Sequence, residues 1–279
     1  MFWLILSCTE PFVGLASEPA LLSKEDMIAM VGGDFLMGYP DNEPGPYGNH
    51  WKETAQPQHP VLLSDFYLDR TEVTIEQYTE FLNSLYNEHG LSMAPHHHPL
   101  QQVNWNASAF VPFENMNERP INYVSWYDAS AFCAWKGKRL PTEAEFEYAI
   151  KGSDIENPRS FPWVSGGASC QKAVYYTNQT LCEKQPDDVG SRSPEGDSPE
   201  GISDLSGNVA EWVGDWSARY EDDSLIDPRG PDTGTYKLLR GGGFRETSDA
   251  LRSTDRVEAD PSSRSEGIGF RCAASQEEE

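Results

Sequence analysis

The chain has 279 residues, 45 of them acidic and 21 basic, giving a formal charge of −24. A chain this acidic repels phosphate, which argues against a nucleic-acid binder and against direct adhesion to an anionic membrane surface. With 38% hydrophobic residues, 23 Gly and 20 Pro, it reads as a loop-rich globular protein with ample core rather than a disordered chain.

The first residues, Met1 to Leu6, are apolar and run into Ser7 and Cys8. Ile5-Leu6-Ser7-Cys8 resembles a bacterial lipobox, in which Cys8 would carry the lipid. Cleavage after Ala16 is the alternative. The first basic residue is Lys24, so the basic n-region of a signal is missing. The expected organisation is a signal or lipoprotein-like segment and tether over 1–22, one domain over 23–275, and an acidic tail over 276–279. No later stretch is apolar enough to span a bilayer, so membrane attachment would come only through a lipid anchor.

Met27 to Met37 reads as two short strands about the Gly32-Gly33 turn, and Val61 to Val73 as strand. Thr74 and Gln77 form a capping box opening a helix to about Asn87, with Ile75, Tyr78, Phe81, Leu82 and Leu85 on one face. Residues 89–120 read as a long connection. A second helix begins near Ser125 and carries Trp126, Ala129, Phe132, Cys133 and Trp135. A third follows Pro141, opened by Thr142 and Glu145. Beyond Gly152 only short apolar strings remain, over 208–216, 236–239 and 267–273. The class is α+β with much irregular structure.

Besides Cys8 there are four cysteines, enough for two disulfides in three connectivities. Cys170 and Cys182 are the natural local pair in a polar loop. A bridge between Cys133, on a predicted helix, and Cys272 would tie the chain end to the core. None has metal spacing such as C-x-x-C, and such cysteine use fits an exported protein.

Four motifs, in this order, carry a resemblance to a known family. They are Gly32-Gly33-Asp34-Phe35-Leu36-Met37-Gly38 with Arg70-Thr71-Glu72-Val73; Arg139-Leu140-Pro141-Thr142-Glu143-Ala144-Glu145; Asp204-Leu205-Ser206-Gly207-Asn208-Val209-Ala210-Glu211-Trp212; and Arg240-Gly241-Gly242-Gly243-Phe244 with Gly269-Phe270-Arg271-Cys272. Together they resemble the formylglycine-generating enzyme, or sulfatase-modifying factor, family. The resemblance implies a variant C-type-lectin-like fold, and it matches Cys133 and Cys272 to the family's structural disulfide.

The family's enzymes oxidise a substrate cysteine using copper held by two thiols. Those positions fall on Glu246 and Leu251, neither a soft ligand, so copper is not expected. Calcium is. The resemblance maps a calcium site onto the Asp204 side chain, the Gly207 and Val209 carbonyls and Glu211, hard oxygens on a tight turn. A mixed-charge loop containing Arg245, Glu246, Arg252 and Arg256 falls where the family binds substrate and forms a candidate ligand surface. His96, His97 and His98 are adjacent and cannot converge on one centre from a regular element. The reading is an exported, non-catalytic, calcium-stabilised binding or accessory protein for an unknown protein or peptide ligand. The alternative is an oxidoreductase of the same family.

Overall fold

The computed structural model describes residues 26–40, 55–89 and 96–276. The segment over 1–22, with Cys8 and Ala16, lies outside the described residues, as does the tail beyond Gln276. The strands are β1 Met27–Met30, β2 Gly33–Met37, β3 His59–Leu63, β4 Phe66–Asp69, β5 Val103–Trp105, β6 Phe110–Pro112, β7 Ala210–Trp216, β8 Leu225–Ile226, β9 Lys237–Arg240, β10 Val257–Ala259, β11 Ile268–Gly269 and β12 Ala273–Ser275. The helices are α1 Ile75–His89, α2 Trp126–Trp135 and α3 Glu143–Lys151. The strands form sheets in the orders β1-β4-β12, β10-β9-β7-β11, β2-β3-β8 and β5-β6.

All three predicted helices form, each opened by a reciprocal side-chain cap. Thr74 and Gln77 exchange bonds at 3.0 and 3.2 Å. Ser125 pairs in the same way with Asp128, and Thr142 with Glu145. Each cap satisfies N–H groups that a helix start otherwise leaves open. The two strands around Gly32 form but do not pair with each other. β1 runs antiparallel to β4 and β2 to β3. Gly32 sits so close to the Leu63 carbonyl that a Cβ there would lie 2.1 Å from its oxygen. The long connection over 89–120 contains a hairpin, β5 and β6, which the sequence reading missed. Trp105 pairs with Phe110 across it at 5.2 Å, and the ring of Tyr86 on α1 lies 4.5 Å from that of Trp105.

Two apolar clusters fill the centre. One joins Phe35, Leu63, Phe66 and Leu68 to Phe146 and Ile150 of α3. The other joins Tyr78 and Phe81 of α1 to Phe132 of α2, with Trp212 and Phe270. The Trp212 indole donates to the Val124 carbonyl at 3.0 Å, and the Trp126 indole to the Val213 carbonyl at 2.9 Å. Both disulfides form. Cys133–Cys272 spans Cα atoms 5.7 Å apart and pins α2 to the C-terminal segment. Cys170–Cys182 closes the loop between α3 and β7.

The Arg139-to-Glu145 motif and the rest of α3 also form an electrostatic frame. Arg139 grips Glu145 with two bonds of 2.6 Å. Glu147, fully buried, accepts from Gly38 N and binds Lys151 and Arg240 at 2.8 and 2.7 Å. Burial alone would raise the Glu147 carboxyl, but Lys151 and Arg240 outweigh it and hold it below the usual range. Among the described residues, no helix is long and apolar enough to cross a membrane.

Candidate functional site

The predicted calcium turn lies between the Cys170–Cys182 loop and β7. Asp204, Gly207 and Asn208 all take left-handed backbone, at φ +57°, +92° and +63°, so the chain coils tightly. Asp204 and Glu211 are both buried. Asp204 Oδ2 accepts from Gly190 N at 2.5 Å. Glu211 is clasped by Arg271, whose Nε and Nη2 each donate to it at 2.7 Å. Arg271 also donates to the carbonyls of Asp69, Arg70 and Ser203. Among the described residues, no donor reaches the Gly207 or Val209 carbonyl.

A third carboxylate, Glu72, joins this cluster. It accepts from Asn208 Nδ2 at 2.6 Å and from Val209 N at 3.1 Å, and so braces the turn from the start of α1. Burial, then repulsion from Asp204 and Glu211, drives its carboxyl well above the usual range. Burial likewise raises Asp204 and Glu211, with Arg271 opposing. The sequence reading passed over the parts that Glu72 and Arg271 play in bracing this turn, although both stand in the quoted motifs. Three carboxylates against one guanidinium leave an excess of negative charge beside two unoccupied carbonyls. That donor set fits a hard divalent cation. Among the described residues, no three His, Cys, Asp or Glu side chains converge as a metal cage of their own, so any such site has to draw on the backbone.

At the two positions singled out by the sequence resemblance, Glu246 folds back to accept from the Gly243 N–H, and its own carbonyl accepts from Tyr176 N. Leu251 is fully buried with Trp163, Ala173 and Tyr175. All four cysteines among the described residues are in disulfides, so none of those residues offers a free thiol.

The expected ligand surface is only partly assembled. Arg245 is exposed and pairs with Glu266 at 2.7 Å. Arg252 pairs with Asp249 and lies over the Phe161 ring. Arg256 corrects the expectation: it is buried and donates twice to Glu143 at 2.7 Å. Its charge is consumed in the α3 frame and does not face a ligand with Arg245. The three histidines diverge. His96 meets Asp128 at 2.9 Å, His97 bonds the Val103 carbonyl, and His98 stacks on Tyr123.

The few helices, curled sheets and disulfide-pinned loops are those of a variant C-type-lectin-like fold. The structure of PvdO from Pseudomonas aeruginosa superposes with a TM-score of 0.63 at 26% identity, covering 94% of this chain and all of that one. The model of the sulfatase-modifying factor enzyme 1-like domain matches residues 13–276, and the chain belongs to that family. It is 30% identical to the formylglycine-generating enzyme of Thermomonospora curvata, over 89% of this chain and 93% of that protein. It is 29% identical to the mouse inactive C-alpha-formylglycine-generating enzyme 2, over 99% of this chain and 92% of that one. Membership in the family therefore spans proteins named for the activity and one named inactive.

Proposed function

We propose that this chain is an exported, non-catalytic member of the family, a calcium-stabilised domain that binds a protein or peptide. One observation carries the reading. The two positions to which the resemblance maps the family's copper thiols, Glu246 and Leu251, hold a carboxylate tied to its own turn and a leucine sunk in an aromatic cluster. Copper(I) needs soft thiolates, and every described cysteine is spent in a disulfide. The two disulfides suit an oxidising compartment, and lipidation at Cys8 would place the domain on a cell envelope. Asp204, Glu211 and the Gly207 and Val209 carbonyls would hold calcium, with Glu72 behind them. There the ion would neutralise buried charge.

The test is a conversion assay. The purified protein is incubated in air with copper(I) and a Cys-x-Pro-x-Arg peptide, and the peptide mass is followed beside a formylglycine-generating enzyme. No aldehyde should form. Turnover to formylglycine would overturn the non-catalytic reading.

A further inference from the structure

A cavity of about 380 Å³ opens between the start of α3 and the loop that follows β7. Of the family-site residues it touches only Arg256. Its volume is in the range of small-molecule sites. Met37, Trp216, Leu225, Pro228 and Pro231 supply apolar wall.

Two buried carboxyls, Glu143 and Asp215, stand in that wall, and Glu143 is paired with Arg256. Asp215 is 5% exposed, and its Oδ2 accepts from Glu143 N at 2.9 Å. Its Oδ1 lies beside Gly230, where an added Cβ would sit 3.2 Å away. The neighbouring cations are engaged elsewhere. Arg256 is bound to Glu143. Lys237 Nζ donates to the Gly214 carbonyl at 2.7 Å and lies 3.9 and 4.0 Å from the ring centres of Trp126 and Trp216. Asp215 has no ion-pair partner among the described residues. At the mouth, Arg219 and Arg229 are matched in charge by Glu221 and Asp223. Asp215 is thus the carboxylate of the cavity wall that has no direct ion pair, with Lys237 acting on it only from a distance.

We propose that this cavity binds a small organic ammonium with an apolar body, its cation on Asp215 and its body against Trp216 and the prolines. A buried carboxylate without a partner is unfavourable, and a charge-assisted hydrogen bond is the strongest relief available to it. Burial, then Glu143, raises the Asp215 carboxyl to about 7. The groups that set its charge are Glu143, Glu145 and Lys237, with Arg256 and His59 also on the wall. Ammonium binding needs the carboxylate, so affinity increases as pH rises through about 7.

The probe is benzylamine, compared with benzyl alcohol and benzoate, by calorimetry and by the NMR signal of the Trp216 indole. Benzylamine should shift that signal and bind at least about tenfold more tightly than either analogue, as charge-assisted bonds outweigh neutral ones. Asp215→Asn should abolish the preference for the amine while keeping an acceptor for Glu143 N. Because that variant touches the α3 cap, Ala218→Trp provides a second test. It fills the cavity from an exposed wall position and should remove benzylamine binding from a protein with unchanged melting. Equal or tighter binding of benzoate would overturn the proposal. So would benzylamine binding that survives Ala218→Trp, or its absence from the wild-type protein.

Discussion

If the 204–211 turn holds calcium as proposed, its removal should destabilise the fold, and more strongly at alkaline than at acid pH. Glu72, Asp204 and Glu211 are buried together with one guanidinium, Arg271, a net of −2 when all are ionised. Their carboxyls are raised, first by burial and, at Glu72 and Glu211, also by mutual repulsion. A carboxyl whose folded pKa exceeds its unfolded one holds its proton longer in the fold. Stability is therefore present at low pH and is lost as pH rises from the ordinary carboxylate range through the folded pKa. A divalent cation cancels that loss. At about 100 times Kd a ligand adds roughly 2.7 kcal/mol. With an unfolding entropy of about 2.1 cal/mol/K per residue, a chain this long moves by about 5 °C.

The assay is calorimetric melting at acid and alkaline pH, with calcium or with chelator, together with elemental analysis after dialysis. Asp204→Asn is the informative variant. Asparagine tolerates the left-handed backbone and keeps an acceptor for Gly190 N, so only the charge is removed. The variant should melt alike with and without chelator, and at high pH in chelator no lower than wild type. Glu211→Gln is less clean, because it strands the buried Arg271, and removing one partner of a buried pair costs roughly 3–5 kcal/mol by itself. Asn208→Ala is unsuitable as a silent control, since Asn208 is buried and bonds both Glu72 and Asp187 N. Equal melting with calcium and with chelator, where elemental analysis shows the chelated protein to be free of calcium, would refute the reasoning. So would an Asp204→Asn variant that responds as wild type does.

Replacing Cys133 and Cys272 by Ala should cost up to about 5 kcal/mol on the chain-entropy relation, and replacing Cys170 and Cys182 about 3; urea titration giving the opposite order would sink that account. Leu251→Ala should cost about 2–5 kcal/mol, as for other buried leucines, and a loss under about 1 kcal/mol would mean the site is not packed as described. Burial, opposed by Asp215, lowers Lys237 to about 8. Between that pH and its unfolded value the unfolded chain binds the extra proton, so stability should rise with pH there. Because Lys237 sits between two indoles, tryptophan fluorescence should titrate near pH 8 and stop doing so in Lys237→Met. A midpoint near the ordinary lysine value would refute the shift.

Much of the local structure could be read directly from the residues. The capping boxes at Thr74 and Thr142 are interactions between residues three apart, so they need no tertiary partner to be seen; the one at Ser125, closed by Asp128, emerged only in the structure. The loop-rich character follows from Gly, Pro and left-handed turn residues. The local Cys170–Cys182 pair follows from a separation of 12 residues. The coiling of residues 204–211 is likewise local, because Gly207 and its neighbours accept the backbone it needs.

Only the tertiary structure decided the rest. β1 and β2 form where the alternation placed them, but the close approach of Leu63 to Gly32 sends each to a different sheet. β5 and β6 were hidden because a three-residue strand carries almost no periodic signal; α1 and the cross-strand Trp105–Phe110 contact make that hairpin. Arg256 and Arg245 look equivalent in a list of charges. Arg256 is buried against Glu143, a partner 113 residues away, while Arg245 remains at the surface. The same holds for Glu72, which braces the 204–211 turn from a distant segment, and for Asp215, whose isolation depends on where Lys237 and Arg256 point. The chain encodes turns and caps through neighbouring residues. Which charges are neutralised and which are left uncompensated depends on segments far apart in sequence, and packing alone brings those together.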